Sequence, residues 1–307
     1  MMQDNHKTEK LDEADGLLKH GKYSEAIALL ENIHEIYPKE ESALLRLAWA
    51  SWDNGNKEDS IAYWEILLDR ELQRKVFTGF AYDELVRIYK QEGEIEKLVA
   101  TCEKTAQVQP QDVGLLEELG KAYLLSGRSE KALDTFKKLT SMEADNPVFY
   151  CRLGEALMAA GQTEAGEEAY RQAARIDPDE ADRYLFRAAD LYLREGHFNP
   201  AKKLLIKCLE IAPSNSLYYC SLGDILVALK KPEDAFTEYE KACQCNRPHT
   251  AAFYIRLGNS LMKGGLFTDA AKAFEAALSF DASTPCRQNL EEAYKAAGHS
   301  PPHSPNM

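Results

Sequence analysis

A bound metal is the first chemistry to test in this sequence, because Cys243, Cys245 and His249 fall close together with the spacing C-x-C-x3-H. That spacing is not a usual structural zinc arrangement, which needs four ligands, and no fourth is apparent. Cys243 and Cys245 instead fit the small apolar places on the buried side of a helix, as do Cys102 and Cys208, since a free thiol packs as a small hydrophobe. Cys151 and Cys220 are expected on an exposed helix face as accessible thiols, without a basic neighbour identifiable in the sequence to activate them. Seven cysteines, an odd number without regular spacing, suit reduced thiols and a cytoplasmic location. Nucleophilic and phosphate chemistry find no support either. There is no G-x-S-x-G, no G-x4-G-K and no H-E-x-x-H, so no catalytic residue, cofactor or metal is expected.

The elements that would have to position any such residue are helices. In residues 115–139, LLEELGKAYLLSGRSEKALDTFKKL, Leu116, Leu119, Gly120 and Tyr123 stand at helical spacing. Gly127 then breaks the stripe, and Ala132 with Phe136 begins a second one, which makes a helix hairpin. Glycine returns at the turn place as Gly21, Gly55, Gly93, Gly161, Gly196 and Gly265, with Lys230 standing there once. Such a turn favours a residue that accepts positive φ, so the Lys230-Lys231-Pro232 segment is expected to turn differently.

This pattern resembles the tetratricopeptide repeat, x2-L-G-x2-Y followed by A-x3-F and Pro with a period of about 34 residues. The resemblance implies an all-α fold, an α-solenoid winding as a right-handed superhelix of antiparallel hairpins, over residues 7–298. Repeats start near 7, 41, 79, 113, 147, 182, 216 and 251. A capping helix over 284–298 closes the array with a polar face, as stacked repeats require. Residues 1–6 are expected to be flexible and 299–307 disordered. Residues 69–80, DRELQRKVFTGF, interrupt the register. They suit a lengthened second helix and a longer loop, or a loop that brings Phe77 and Phe80 to a ligand.

Composition narrows the partners. Fifty Asp plus Glu against 37 Lys plus Arg give a net charge of −13, which disfavours nucleic acid and anionic membrane. Nowhere do 18 apolar residues run together, so no membrane insertion is expected, and the N-terminus lacks the apolar core of a secretory signal.

In the family, certain places of each first helix line a concave groove. Carried onto this chain, they name Leu45, Trp49, Trp52, Arg87, Lys121, Arg152, Met158, Phe186, Leu193, Ile255 and Met262 as the partner-binding groove, with Leu11, Leu18, Val148, Cys151, Leu217, Cys220 and Val227 on the same lining. Trp49 and Trp52, three apart on one helix face, are the expected anchors. The register also pairs Asp15 with Arg46, Arg87 with Glu118, Glu155 with Arg187 and Asp224 with Arg256 as inter-repeat ion pairs, and sets Lys121 beside Arg152 as a like-charged seam. That seam either receives an acidic group of a ligand or leaves Lys121 to Glu117, one turn earlier. The lysines of the family's carboxylate-clamp subgroup are missing from the fifth places, so the full clamp is absent. The reading is a non-enzymatic protein-interaction adaptor or scaffold that binds a protein or peptide with apolar or aromatic segments. Two alternatives are a self-assembling unit forming a homo-oligomer and the regulatory subunit of a separate enzyme.

Overall fold

The computed structural model describes residues 2–74, 77–283 and 285–299, with side chains from His6 onward. Two compact units result, Met1–Leu139 and Thr140–Met307. The first contains α1 (Met2–Lys19), α2 (Tyr23–Ile36), α3 (Glu41–Asp53), α4 (Lys57–Arg74), α5 (Phe80–Glu92), α6 (Ile95–Val108), α7 (Val113–Leu125) and nearly all of α8 (Ser129–Met142). The second contains α9 (Pro147–Ala159), α10 (Thr163–Ile176), α11 (Ala181–Arg194), α12 (Phe198–Ile211), α13 (Ser216–Ala228), α14 (Pro232–Cys245), α15 (Thr250–Lys263), α16 (Phe267–Phe280) and α17 (Arg287–Ala296). No strand occurs among the described residues. Odd-numbered helices are the first members of hairpins and even-numbered ones the second, with α17 unpaired.

Each hairpin is made by local chemistry at its ends and by one close approach in its middle. The Asp112 carboxylate caps α7 by accepting from the Leu115 N–H at 2.9 Å. At the other end Gly127 takes φ 72°, which lets the Arg128 N–H bond the Tyr123 carbonyl at 2.8 Å and satisfy an orphan acceptor of the last turn. Lys230 makes the same turn, contrary to expectation: it takes φ 59°, and the Lys231 N–H reaches the Leu226 carbonyl at 2.8 Å. The bonds that close the helix set the backbone there, and the side chain follows. Between the helices, Gly120 lies against the ring of Phe136 so closely that a Cβ would come within 2.5 Å of it. On second helices, the rings of Trp64 and Phe136 in the first unit and of Tyr170, Tyr239 and Phe274 in the second are fully buried in the core of their own unit.

The interruption lengthens α4 to 18 residues, against 14 in α2. After it, Thr78 donates from its hydroxyl to Glu71 at 2.5 Å, and Gly79 at φ 83° starts α5. At the N-terminus α1 runs from Met2. Nothing in its polar opening stretch interrupts a helix. At the other end the His299 N–H bonds the Tyr294 carbonyl at 2.9 Å beyond α17, and the rest of the expected disordered tail lies outside the described residues.

Candidate functional site

In the first unit the first-helix face carries an aromatic cluster. Trp49 of α3 meets the buried Trp64 of α4 edge-on, with centroids 5.4 Å apart, and the ring of Phe80 at 6.3 Å. Phe80 also touches Trp64 at 5.7 Å yet stays 48% exposed. Phe77, the other aromatic of the interruption, packs on Tyr82 at 5.9 Å. Trp52, one turn beyond Trp49, lies under two cations, Arg87 at 5.2 Å and Lys57 at 5.5 Å from the ring centre. Leu45, Trp49 and Trp52 are half-buried and Arg87 is exposed. The rings are therefore held by their own packing while part of each remains at the surface.

In the second unit Phe186 of α11 lies on Tyr218 of α13 with centroids 4.9 Å apart. Leu193, Ile255 and Met262 are half-buried, and Val148 and Leu217 are 43% and 44% exposed. A pocket of about 420 Å³ opens beside α15, lined by Ile255, Arg256, Asp224 and Lys263 among others, and one of about 230 Å³ lies beside Phe186 and Arg187. Four other expected lining positions turn inward. Met158, Cys151, Cys220 and Val227 are buried, and so is Leu11 in the first unit; Met158 packs against Gly166 of its own hairpin and Val227 against Gly264 at the end of α15. Burial pushes the thiols up, Cys151 to about 11 and Cys220 to about 12, so neither is an accessible nucleophile.

The ionic expectations divide. Arg46 binds Asp15 through two hydrogen bonds of 2.6 and 2.8 Å, and its guanidinium holds the Asp15 carboxyl below the usual range. Arg256 holds Asp224 at 2.7 Å and Arg187 holds Glu155 at 3.3 Å. Arg87 does not reach Glu118. It bonds Glu84 at 2.7 Å on its own helix while covering Trp52, and Lys90 pairs with Glu118 instead. Lys121 is bonded to Glu117 at 2.5 Å and Arg152 to Glu155 at 2.7 Å, so each already holds a carboxylate of its own helix.

The cysteine expectation needs a correction as well. Cys245 is exposed and Cys243 only half-buried, since they sit on the last turn of α14 where the core ends. Among the described residues no group of three or more His, Cys, Asp and Glu side chains could hold a metal ion. Sequence reasoning also missed two hollows on the second-helix side, about 680 and 470 Å³, on either side of α12 with Ile206 lining both. The signal available was Ile206 itself, an apolar residue outside the motif places and 42% exposed.

Comparison with known proteins decides the family. Two models, each described as tetratricopeptide repeat, match residues 17–73 and 157–222, and residues 117–181 and 223–285. The chain belongs to the tetratricopeptide-repeat family. Its repeats are similar to the protein STIP1 homolog of Dictyostelium discoideum, 37% identical over 103 residues, which is 34% of this chain and 18% of that protein. They are also similar to the Hsp70-Hsp90 organizing protein of Triticum aestivum, 30% identical over 112 residues, 36% of this chain and 18% of the other. The chain thus matches less than a fifth of either relative's length. A tetratricopeptide-repeat protein from Parabacteroides merdae superposes with a TM-score of 0.54 at 16% identity, over 85% of this chain and 100% of that one, a likeness of α-solenoid fold alone. Among the described residues of the repeat protein no helix is long and apolar enough to cross a membrane.

Proposed function

We propose that this repeat protein is a non-catalytic adaptor whose first-helix face binds a peptide or protein segment. The observation that carries the reading is the aromatic group of Trp49, Trp52 and Phe80. Phe80 is 48% exposed while packed on Trp49 and Trp64, and Trp52 is clamped beneath Arg87 and Lys57. Large apolar rings held in place before a partner arrives lose little freedom on binding, and such rings dominate interface energies. Within the second unit, Leu217, Val148 and the pocket beside Ile255 give its own first-helix face an apolar character. The likeness to a relative named for organising Hsp70 and Hsp90 supports an adaptor role, and seven free thiols suit a reducing, cytoplasmic setting.

The test is selection of random 12-residue peptides on the full chain, followed by binding to Trp52→Ala and Leu217→Asp variants. Both positions lie on the surface side of their helices, so helical content is expected to stay at the wild-type value. Enriched peptides should lose at least about tenfold in affinity for one variant or both. Peptides that bind all three proteins equally would place the interaction elsewhere.

A further inference from the structure

Two second helices of the second unit carry a tyrosine where α8 and α16 carry phenylalanine: Tyr170 on α10 and Tyr239 on α14. Their rings are seated alike, each against a glycine of its hairpin partner, where a Cβ would come within 2.7 Å at Gly154 and 2.5 Å at Gly223. Their hydroxyls differ. Tyr239 donates to Asp224 at 2.7 Å, and the other oxygen of Asp224 accepts from Arg256 at 2.7 and 3.0 Å, so hydroxyl, carboxylate and guanidinium satisfy one another. Two repeats earlier Glu155 occupies the place of Asp224 and Arg187 that of Arg256. Glu155, however, is divided between two guanidiniums, giving one oxygen to Arg152 at 2.7 Å and the other to Arg187 at only 3.3 Å. The hydroxyl of Tyr170, a fully buried residue, is left without a hydrogen-bond partner.

That orphan is unusual here. Tyr89, Tyr123, Tyr192 and Tyr218 each donate to a carboxylate at 2.7–2.9 Å. A buried donor without an acceptor is costly, and a site built to present one discriminates strongly for a ligand that supplies it. Tyr170 and Arg187 share the wall of the 230 Å³ pocket, with Phe186 and Leu191 as its apolar part. The two carboxylates of that wall are engaged, Glu155 as described and Asp190 by Arg194 at 2.5 Å.

We propose that this pocket receives the carboxylate of an Asp or Glu side chain from an extended partner segment, which accepts from the Tyr170 hydroxyl and from the Arg187 guanidinium. Arg187, 44% exposed, 3.3 Å from Glu155 and within hydrogen-bonding reach of the Cys151 thiol, is the wall that turns toward the ligand. Its positive charge selects a carboxylate over a neutral amide. The inference rests on the first-helix-face reading above and adds the chemistry of one subsite to it.

The test uses the full chain and fluorescein-labelled nonapeptide pools, capped at both ends, with a fixed central Glu, Asp or Gln and no other acidic residue. Fluorescence polarisation should show Glu or Asp pools binding about tenfold tighter than the Gln pool. Tyr170→Phe and Arg187→Gln should each remove that preference while leaving Gln-pool affinity as in wild type. Tyr170→Phe should also melt no lower than wild type, because its hydroxyl has no bond to lose. A lower melting temperature for Tyr170→Phe would show a structural partner for the hydroxyl and overturn the proposal. Pools that bind wild type without regard to the central residue would sink this subsite and leave the broader face intact. If no pool binds, or if binding ignores both Trp52→Ala and Leu217→Asp, the reading beneath it fails as well.

Discussion

Alanine in place of glycine should have opposite effects at two helical positions, Gly120 and Gly16. At Gly120 a new Cβ would lie 2.5, 2.8 and 2.9 Å from three atoms of the Phe136 ring. Ordinary contact would require that ring to retreat by about 1 Å, and Phe136 is fully buried in an interior that is close-packed. Overpacking of this kind costs about 1–3 kcal/mol, whereas removing a glycine from a helix contributes at most about 1 kcal/mol in the other direction. The net expectation is a loss of about 1–2 kcal/mol. Gly16 of α1 has no atom within 4 Å of its would-be Cβ, so Gly16→Ala keeps only the helical gain, about 0.5–1 kcal/mol. Urea titration followed by far-ultraviolet circular dichroism reads both as midpoint shifts, downward for Gly120→Ala and upward for Gly16→Ala. Stacked repeats unfold through nearest-neighbour terms, so the midpoint and not a global free energy is the quantity to compare. A Gly120→Ala midpoint at or above wild type would refute the close approach of α7 and α8.

Lys230→Gly should stabilise the second unit by about 1 kcal/mol, measured as a raised thermal midpoint, because it relieves φ 59° in a non-glycine residue. Of the seven thiols, Cys245 should be the one alkylated rapidly under native conditions. Cys102, Cys151, Cys208 and Cys220 are buried and pushed up to between about 11 and about 12, and peptide mapping after a short iodoacetamide pulse would show their labelling only on unfolding. Asp15→Asn should lower stability at neutral pH by about 0.5 kcal/mol, as expected for a partly exposed pair. The folded Asp15 is held below its ordinary 3.8, so its contribution is present above that value and is lost as pH falls through the lowered one. The difference between variant and wild type should accordingly close in strong acid.

Much of the hairpin architecture was legible because it depends on residues that act locally. Gly127 marks a turn and Gly120 faces Phe136 as their spacing implies. Three of the four inter-repeat ion pairs form for the same reason, since the register alone brings a ninth place near the next sixth place. Arg87 escaped that logic because Trp52 offers its ring and Glu84 lies one turn away, and a long side chain takes the nearest of several partners. Cys151 and Cys220 escaped it because burial depends on how far the following hairpin closes over a position, and Cys245 because it lies where α14 leaves the core.

By itself the sequence determined which family of fold the chain adopts. Period, turn residues and apolar stripes are properties of single hairpins, and each is repeated often enough to be read without coordinates. Only the tertiary structure decided which side chains are left over after packing. Tyr170 and Tyr239 are the same residue at the same repeat position, yet one hydroxyl is bonded and the other orphaned. The cause is a pair of differences on one helix, α9: Glu155 stands in the place of Asp224, and Arg152 on the same helix adds a claim on that carboxylate. Hydrogen-bond accounting of this sort sums over atoms that the chain order scatters, which is why it becomes visible only once the helices are stacked.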